Sequence, residues 1–173
     1  GSSTARPSVN LNSPHSGNKI LSIETSPFDP TMLLVSSDNS CLSVWKVSVS
    51  GSGNNATVES EQVACSMVDV KSEAEEEGIV EETGQMAPAF ATFSPVDSDL
   101  IIMLGGRNPC KIIFWQFENS LAMRTIDLDF MQFPTSLCAR TNTQTGSHFI
   151  AIGCRAGNLL FMDLRDNYGM TQC

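Results

Sequence analysis

Two arginines stand at matching places in this chain. Arg107 follows Gly105-Gly106, and Arg155 follows Gly153-Cys154. Each sits in a short turn between two apolar runs. A guanidinium in such a turn offers a flat fork of N–H donors, which suits a carboxylate or a phosphate. Arg107 and Arg155 are therefore the candidate protein-binding residues, directed at acidic or phosphorylated peptides. The plainer role is for each arginine to cap its own turn or pair locally.

Other chemistry finds little support. The chain has no Gly-x-Ser-x-Gly elbow and no Gly-rich phosphate loop ending in Lys-Ser/Thr. Gly105-Gly106 lies between strands and lacks the helix that would aim N–H groups at a phosphate. Of the two histidines, His15 falls in a polar lead-in and His148 opens a strand. Both are expected at the surface, which leaves a Ser-His-Asp or Cys-His site without its base. Six cysteines include no Cys-x-x-Cys pair, so a zinc site is not expected. They read as free thiols in a reducing compartment. The carboxylates lack the Asp-x-Asp-x-Asp-Gly spacing of a calcium loop. The chain is expected to be non-catalytic and to need no cofactor or metal.

The elements that would hold the arginines recur about three times. Cys41 to Val47, Lys111 to Phe117 and Asn158 to Leu164 are short apolar strands with a bulky residue near the end. Before each comes a turn, and before that another strand: Met32 to Ser36, Leu100 to Leu104 and His148 to Ile152. Weaker strands precede these at Ile20 to Ser26, Ala89 to Ser94 and Thr135 to Arg140. Leu100 to Leu104 is apolar throughout, as expected of a strand covered on both faces. Leu121 to Leu128 supplies an outer fourth strand.

One acidic stretch interrupts the repeat. Between Glu59 and Glu82 there are nine carboxylates against Lys71 alone, a formal −8 out of the chain's −9. Such a run is expected to be mostly solvated and disordered. Residues 1–17 read as a flexible lead-in. A first unit spans 18–49, with its outer strand near 61–67, and the acidic insertion spans 50–86. A second unit occupies 87–130 and a third, incomplete one 131–173. The acidic balance argues against a grip on nucleic acid backbones. No apolar run approaches the length of a spanning helix, so no membrane role is expected.

Four strands per unit and a bulky residue closing the third strand match a propeller blade. Trp115 and Met162 lie 47 positions apart; Trp45 and Trp115 lie 70 apart, with the insertion between them. The chain resembles the WD-repeat family. Leu34 to Lys46 carries the resemblance best, and Leu160-Phe161-Met162-Asp163 keeps the closing Asp. No Gly-His pair opens a unit, and neither histidine is spaced for the family's buried His-Ser-Asp-Trp network. Only Asp38 suits its turn aspartate. The expected fold is all-β, a partial WD-repeat-like β-propeller of about three four-stranded blades.

The layout also resembles one propeller of plant Topless-type corepressors. It has a strand closing on Trp45-Lys46, a polar insertion, Pro88-Ala89-Phe90-Ala91, Gly105-Gly106 and Phe149 to Gly153. That resemblance implies a nuclear protein-interaction scaffold within a larger intracellular protein. Two other classes remain open: a ubiquitin-ligase substrate receptor reading a degron through rim arginines, and a non-catalytic domain of an enzyme. Three blades do not close a ring, so further blades, another chain or self-association is expected to complete it. Leu33, Val35, Ile150 and Ile152 are expected near the two uncovered end faces.

Overall fold

The computed structural model describes residues 14–51, 57–67, 90–105, 110–128, 134–164 and 170–172. Among them the chain is all-β and forms three four-stranded antiparallel sheets. Sheet 1 comprises β1 (Ile20–Thr25), β2 (Met32–Ser37), β3 (Cys41–Ser50) and β4 (Thr57–Met67). Sheet 2 comprises β5 (Phe90–Phe93), β6 (Leu100–Gly105), β7 (Lys111–Gln116) and β8 (Leu121–Asp127). Sheet 3 comprises β9 (Pro134–Asn142), β10 (Ser147–Cys154), β11 (Leu159–Asp163) and β12 (Met170–Gln172). Within each sheet the strands pair in chain order.

Two boundaries differ from expectation. β4 begins at Thr57, because β3 and β4 run on as a long hairpin to the Ser50–Thr57 pair. The two hydroxyls there lie 2.6 Å apart. The third unit also has its fourth strand, since β12 pairs with β11 through Met170 to Gln172. The acidic residues from 68 to 89 and the turn at 106–109 lie outside the described residues.

The sheets stack in series. They touch through their first strands, β1 against β5 and β5 against β9. Side-chain alternation then decides the packing. Ile101 and Met103 of β6 turn toward sheet 1 and join Leu34, Leu42, Val44 and Trp115 in one buried cluster. Ile102 and Leu104 turn the other way and join Ile150, Ile152, Leu160 and Met162 in a second. Sheet 2 is thus covered on both faces, which is why β6 has no polar position among Leu100 to Leu104.

The two outer faces are only partly buried. On sheet 1 they carry Leu33, Val35 and Trp45, with Ile23 65% exposed. On sheet 3 the half-buried residues are Phe149, Ala151 and Phe161, and the Phe149 and Phe161 rings lie 6.4 Å apart. Ile150 and Ile152, expected on that face, are instead fully buried against sheet 2. A run of apolar residues from Phe149 to Ile152 gives no alternation from which the parity can be read, and a shift of one residue exchanges the faces.

Candidate functional site

Three polar constellations emerge, and each rests on how the strands end. The first is buried. His15 is 5% exposed, although it lies in the lead-in expected to be flexible. Its Nδ1 is 2.6 Å from Ser37 Oγ and its Nε2 is 2.6 Å from Ser43 Oγ. Trp45 Nε1 donates to Ser43 Oγ at 2.6 Å. Ser37 Oγ donates to Asn39 Oδ1, which also accepts from Cys41 N. The protons can run in one direction. Trp45 N–H donates to Ser43, whose hydroxyl donates to His15 Nε2; His15 Nδ1–H then donates to Ser37, whose hydroxyl reaches Asn39. This ordering satisfies every donor and assigns the proton of neutral His15 to Nδ1. Burial lowers the His15 pKa from 6.5, consistent with a neutral ring.

The surface position expected for His15 is therefore corrected, as is the reading that its spacing does not suit a buried His-Ser-Trp network: the ring bridges the end of β2 and β3. The turn aspartate plays a different part. Asp38 Oδ1 accepts from Lys19 N and Asp38 N donates to Lys19 O, each at 3.0 Å, which pins the start of β1 to that turn. His148 also departs from expectation. It is half-buried, with Nδ1 2.8 Å from Thr141 Oγ1 across β9 and β10.

The second constellation joins all three sheets. Glu24 on β1 accepts a hydrogen bond from Thr92 Oγ1 on β5 at 3.0 Å. Arg140 on β9 places NH1 4.0 Å from the same carboxylate oxygen. Burial raises the Glu24 pKa from 4.5, opposed by the Thr92 hydrogen bond and then by Arg140. The first strands of the three sheets thus converge on one carboxylate.

The third is a cleft of about 480 Å³ between sheets 1 and 2. It opens where β1 meets β2 and β5 meets β6. Its floor is Met32, Phe93 and Phe117, the two phenylalanines being buried. At its lip Phe28 is 50% exposed and Val63 42%. Asp29, Glu61, Asp99 and Glu118 surround it, with Lys46 as the one cation of the lining.

Like loops shape this cleft from both sides. Ser26 Oγ accepts from Phe28 N and Asp29 N, at 3.2 and 3.4 Å. Ser94 Oγ accepts from Val96 N and Asp97 N, at 3.2 and 3.3 Å. Asp29 Oδ1 then accepts from Thr31 N, and Asp97 Oδ1 from Asp99 N. The shared signal is Ser-Pro-x-Asp, at Ser26-Pro27-Phe28-Asp29 and again at Ser94-Pro95-Val96-Asp97. The proline fixes φ, and the Ser and Asp side chains hold the loop backbone. The Thr31 hydroxyl and amide hold the Asp29 carboxyl below its ordinary 3.8, so it is ionised at neutral pH.

Arg155 lies in the exposed β10–β11 turn, with Gly157 at φ +86° completing the reversal at a conformation that L side chains rarely adopt. Gly153, before it, leaves room for Ser136, whose Oγ a Cβ would meet. Arg107 lies outside the described residues.

Among the described residues no group of three or more His, Cys, Asp or Glu is set to hold a metal ion. The described cysteines are free thiols. Burial pushes the Cys41 thiol up to about 12, reinforced by Cys65 3.8 Å away, and the Cys110 thiol up to about 11. Thiols held so far from ionising are poor nucleophiles. No family model matches the chain, and no curated protein matches it.

Proposed function

We propose that the three sheets are consecutive blades of a WD-repeat-type β-propeller and that the chain is a non-catalytic protein-interaction scaffold. The observation that carries this reading is the serial stacking of three like meanders through their first strands, with Glu24, Thr92 and Arg140 meeting where those strands converge. The chain from Trp45 through Ser43 to His15 supports the same family, since it supplies three of the four partners in the family's buried network. Ser37 and Asn39 stand where the aspartate would be. The half-exposed Leu33, Val35 and Trp45, and Phe149 and Phe161 on the opposite side, favour further blades or another chain against these faces.

The resemblance of the sequence layout to one propeller of Topless-type corepressors supports a scaffold that acts in the nucleus, in transcriptional repression. Arg155, exposed in its turn, keeps the ligase-receptor reading as the second possibility. Affinity capture of the full-length protein from nuclear and cytoplasmic extracts separates them. Co-purification of repressor assemblies is the expected result. Recovery of ubiquitin-ligase subunits in their place would establish the second reading, and recovery of no stable partner from either extract would overturn both.

A further inference from the structure

The cleft between the first two sheets has a shape and charge that select one kind of occupant. We propose that it takes a cationic peptide segment, an arginine or lysine flanked by an apolar side chain. The proposal rests on the scaffold reading and names the partner of one of its surfaces.

Size is the first argument. About 480 Å³ lies within the roughly 300–1,000 Å³ of ordinary ligand sites and accommodates one or two side chains. Hydrophobicity is the second. Met32, Phe93 and Phe117 make an apolar floor, while Phe28 and Val63 keep half or nearly half of their surface open at the lip. Neither lip residue packs into the buried clusters between the sheets. An apolar side chain of a partner would cover both. Charge is the third and the most selective. Asp29, Glu61, Asp99 and Glu118 face Lys46 alone. That balance repels phosphate and so disfavours nucleic acid and phosphopeptides. Arginine suits such a site best, because its fork can engage two carboxylates at once.

Rigidity is the fourth argument. Backbone N–H groups donating to Ser26 and Asp29 fix one wall, and those donating to Ser94 and Asp97 fix the other. Val47 N bonds to Thr31 O and Phe117 N to Asp99 O, at 2.8 and 3.1 Å, which ties β3 and β7 to the same loops. A preformed site loses less entropy on binding. The cleft opens at the β1–β2 and β5–β6 loops, whereas Arg155 sits in the β10–β11 turn, so acidic and basic partners would address separate surfaces.

The test is titration calorimetry on the full-length protein with two probes, a decapeptide of alternating Leu and Arg and its counterpart with Glu for Arg. The Leu/Arg peptide is expected to bind, and to bind more weakly as salt rises from about 50 to about 500 mM. Glu61→Gln with Glu118→Gln, both exposed positions, is expected to weaken binding about tenfold or more with an unchanged melting temperature. Phe28→Ser is expected to weaken it at every salt concentration. Equal binding of the Glu peptide, or undiminished binding by the Glu61/Glu118 variant, would overturn the proposal. So would binding of a mixed-sequence oligonucleotide that the double variant loses. If the Leu/Arg peptide fails to bind while repressor assemblies still co-purify, the cleft assignment falls and the scaffold reading stands.

Discussion

Replacing Ser43 by Ala removes one oxygen from the middle of a buried chain. In the parent that oxygen accepts from Trp45 Nε1 and its proton serves His15 Nε2. Ser43 is fully buried and His15 nearly so, so His15 Nε2 is left without Ser43 and with little access to water. Losing a hydrogen-bond partner at a buried polar atom costs about 1–3 kcal/mol. Trp45 is half-buried, so its N–H recovers a water and loses about 1 kcal/mol or less. The sum is about 1–4 kcal/mol, which at about 2–4 °C per kcal/mol for a chain this long lowers the melting temperature by about 2–16 °C. Thermal melts followed by circular dichroism read this directly, and Trp45→Phe provides the control. It removes the same N–H while keeping most of the ring. In a double-mutant cycle the two changes should cost less together than separately, by about 0.5 kcal/mol or more.

The pH dependence gives the same chain a second signature. Burial lowers the His15 pKa below 6.5 in the folded protein. Between that lowered value and 6.5 the unfolded chain binds a proton that the folded chain does not. The His15 contribution is therefore fully present above pH 6.5 and is lost as pH falls from there toward the folded value. His15→Gln should abolish this slope. A Ser43→Ala variant that melts with the parent, together with a slope that survives His15→Gln, would refute the relay.

Three further outcomes are expected. Trp115→Ala should cost about 3–5 kcal/mol, because Trp115 is 3% exposed between sheets 1 and 2; denaturant unfolding measures it, and a parent-like midpoint would contradict the packing. Glu24→Gln should flatten the melting temperature over the window that begins near pH 4.5. The raised pKa of Glu24 means that its contribution is full below 4.5 and lost as pH rises through the folded value, so a parent-like profile would count against the three-sheet contact. Arg155→Glu, at an exposed turn, should change stability by less than about 0.5 kcal/mol while abolishing capture on an acidic-peptide resin; a collapse in the melt would make Arg155 structural.

Much of the fold could be read from local pattern. Strands announce themselves wherever apolar residues run between turn residues, and the uninterrupted Leu100 to Leu104 correctly implied cover on both faces. Edge strands were harder. In β8, Met123 and Thr125 on one face and Arg124 on the other are all exposed, since an outermost strand extends beyond its neighbours and alternation there reports no burial. His15 escaped notice for a different reason. It lies 22 and 28 residues from its partners Ser37 and Ser43, within a segment whose composition signals a loop, and no periodicity links residues so far apart. The cleft was missed because neither of its loops alone signals a site. The repeated Ser-Pro-x-Asp was the available signal.

Comparison of equivalent positions explains why sheet 1 carries a buried polar chain. Trp45, Trp115 and Met162 each pair with the second strand of their sheet, opposite Leu33, Ile101 and Ile150. Trp115 and Ile101 face sheet 1, and Met162 and Ile150 face sheet 2. The same face of sheet 1, with Leu33, Val35 and Trp45, has no described sheet against it. Two positions before the closing residue stand Ser43, Ile113 and Leu160. Ile113 and Leu160 pack across a sheet interface, where apolar contact alone orders the strands. Ser43 lacks such a neighbour, and hydrogen bonds to His15 and Trp45 take its place. Directional bonds fix a side chain without requiring a second surface. The polar chain therefore keeps this face of sheet 1 ordered, with the Trp45 ring held in one orientation, and leaves a defined surface for whatever packs there.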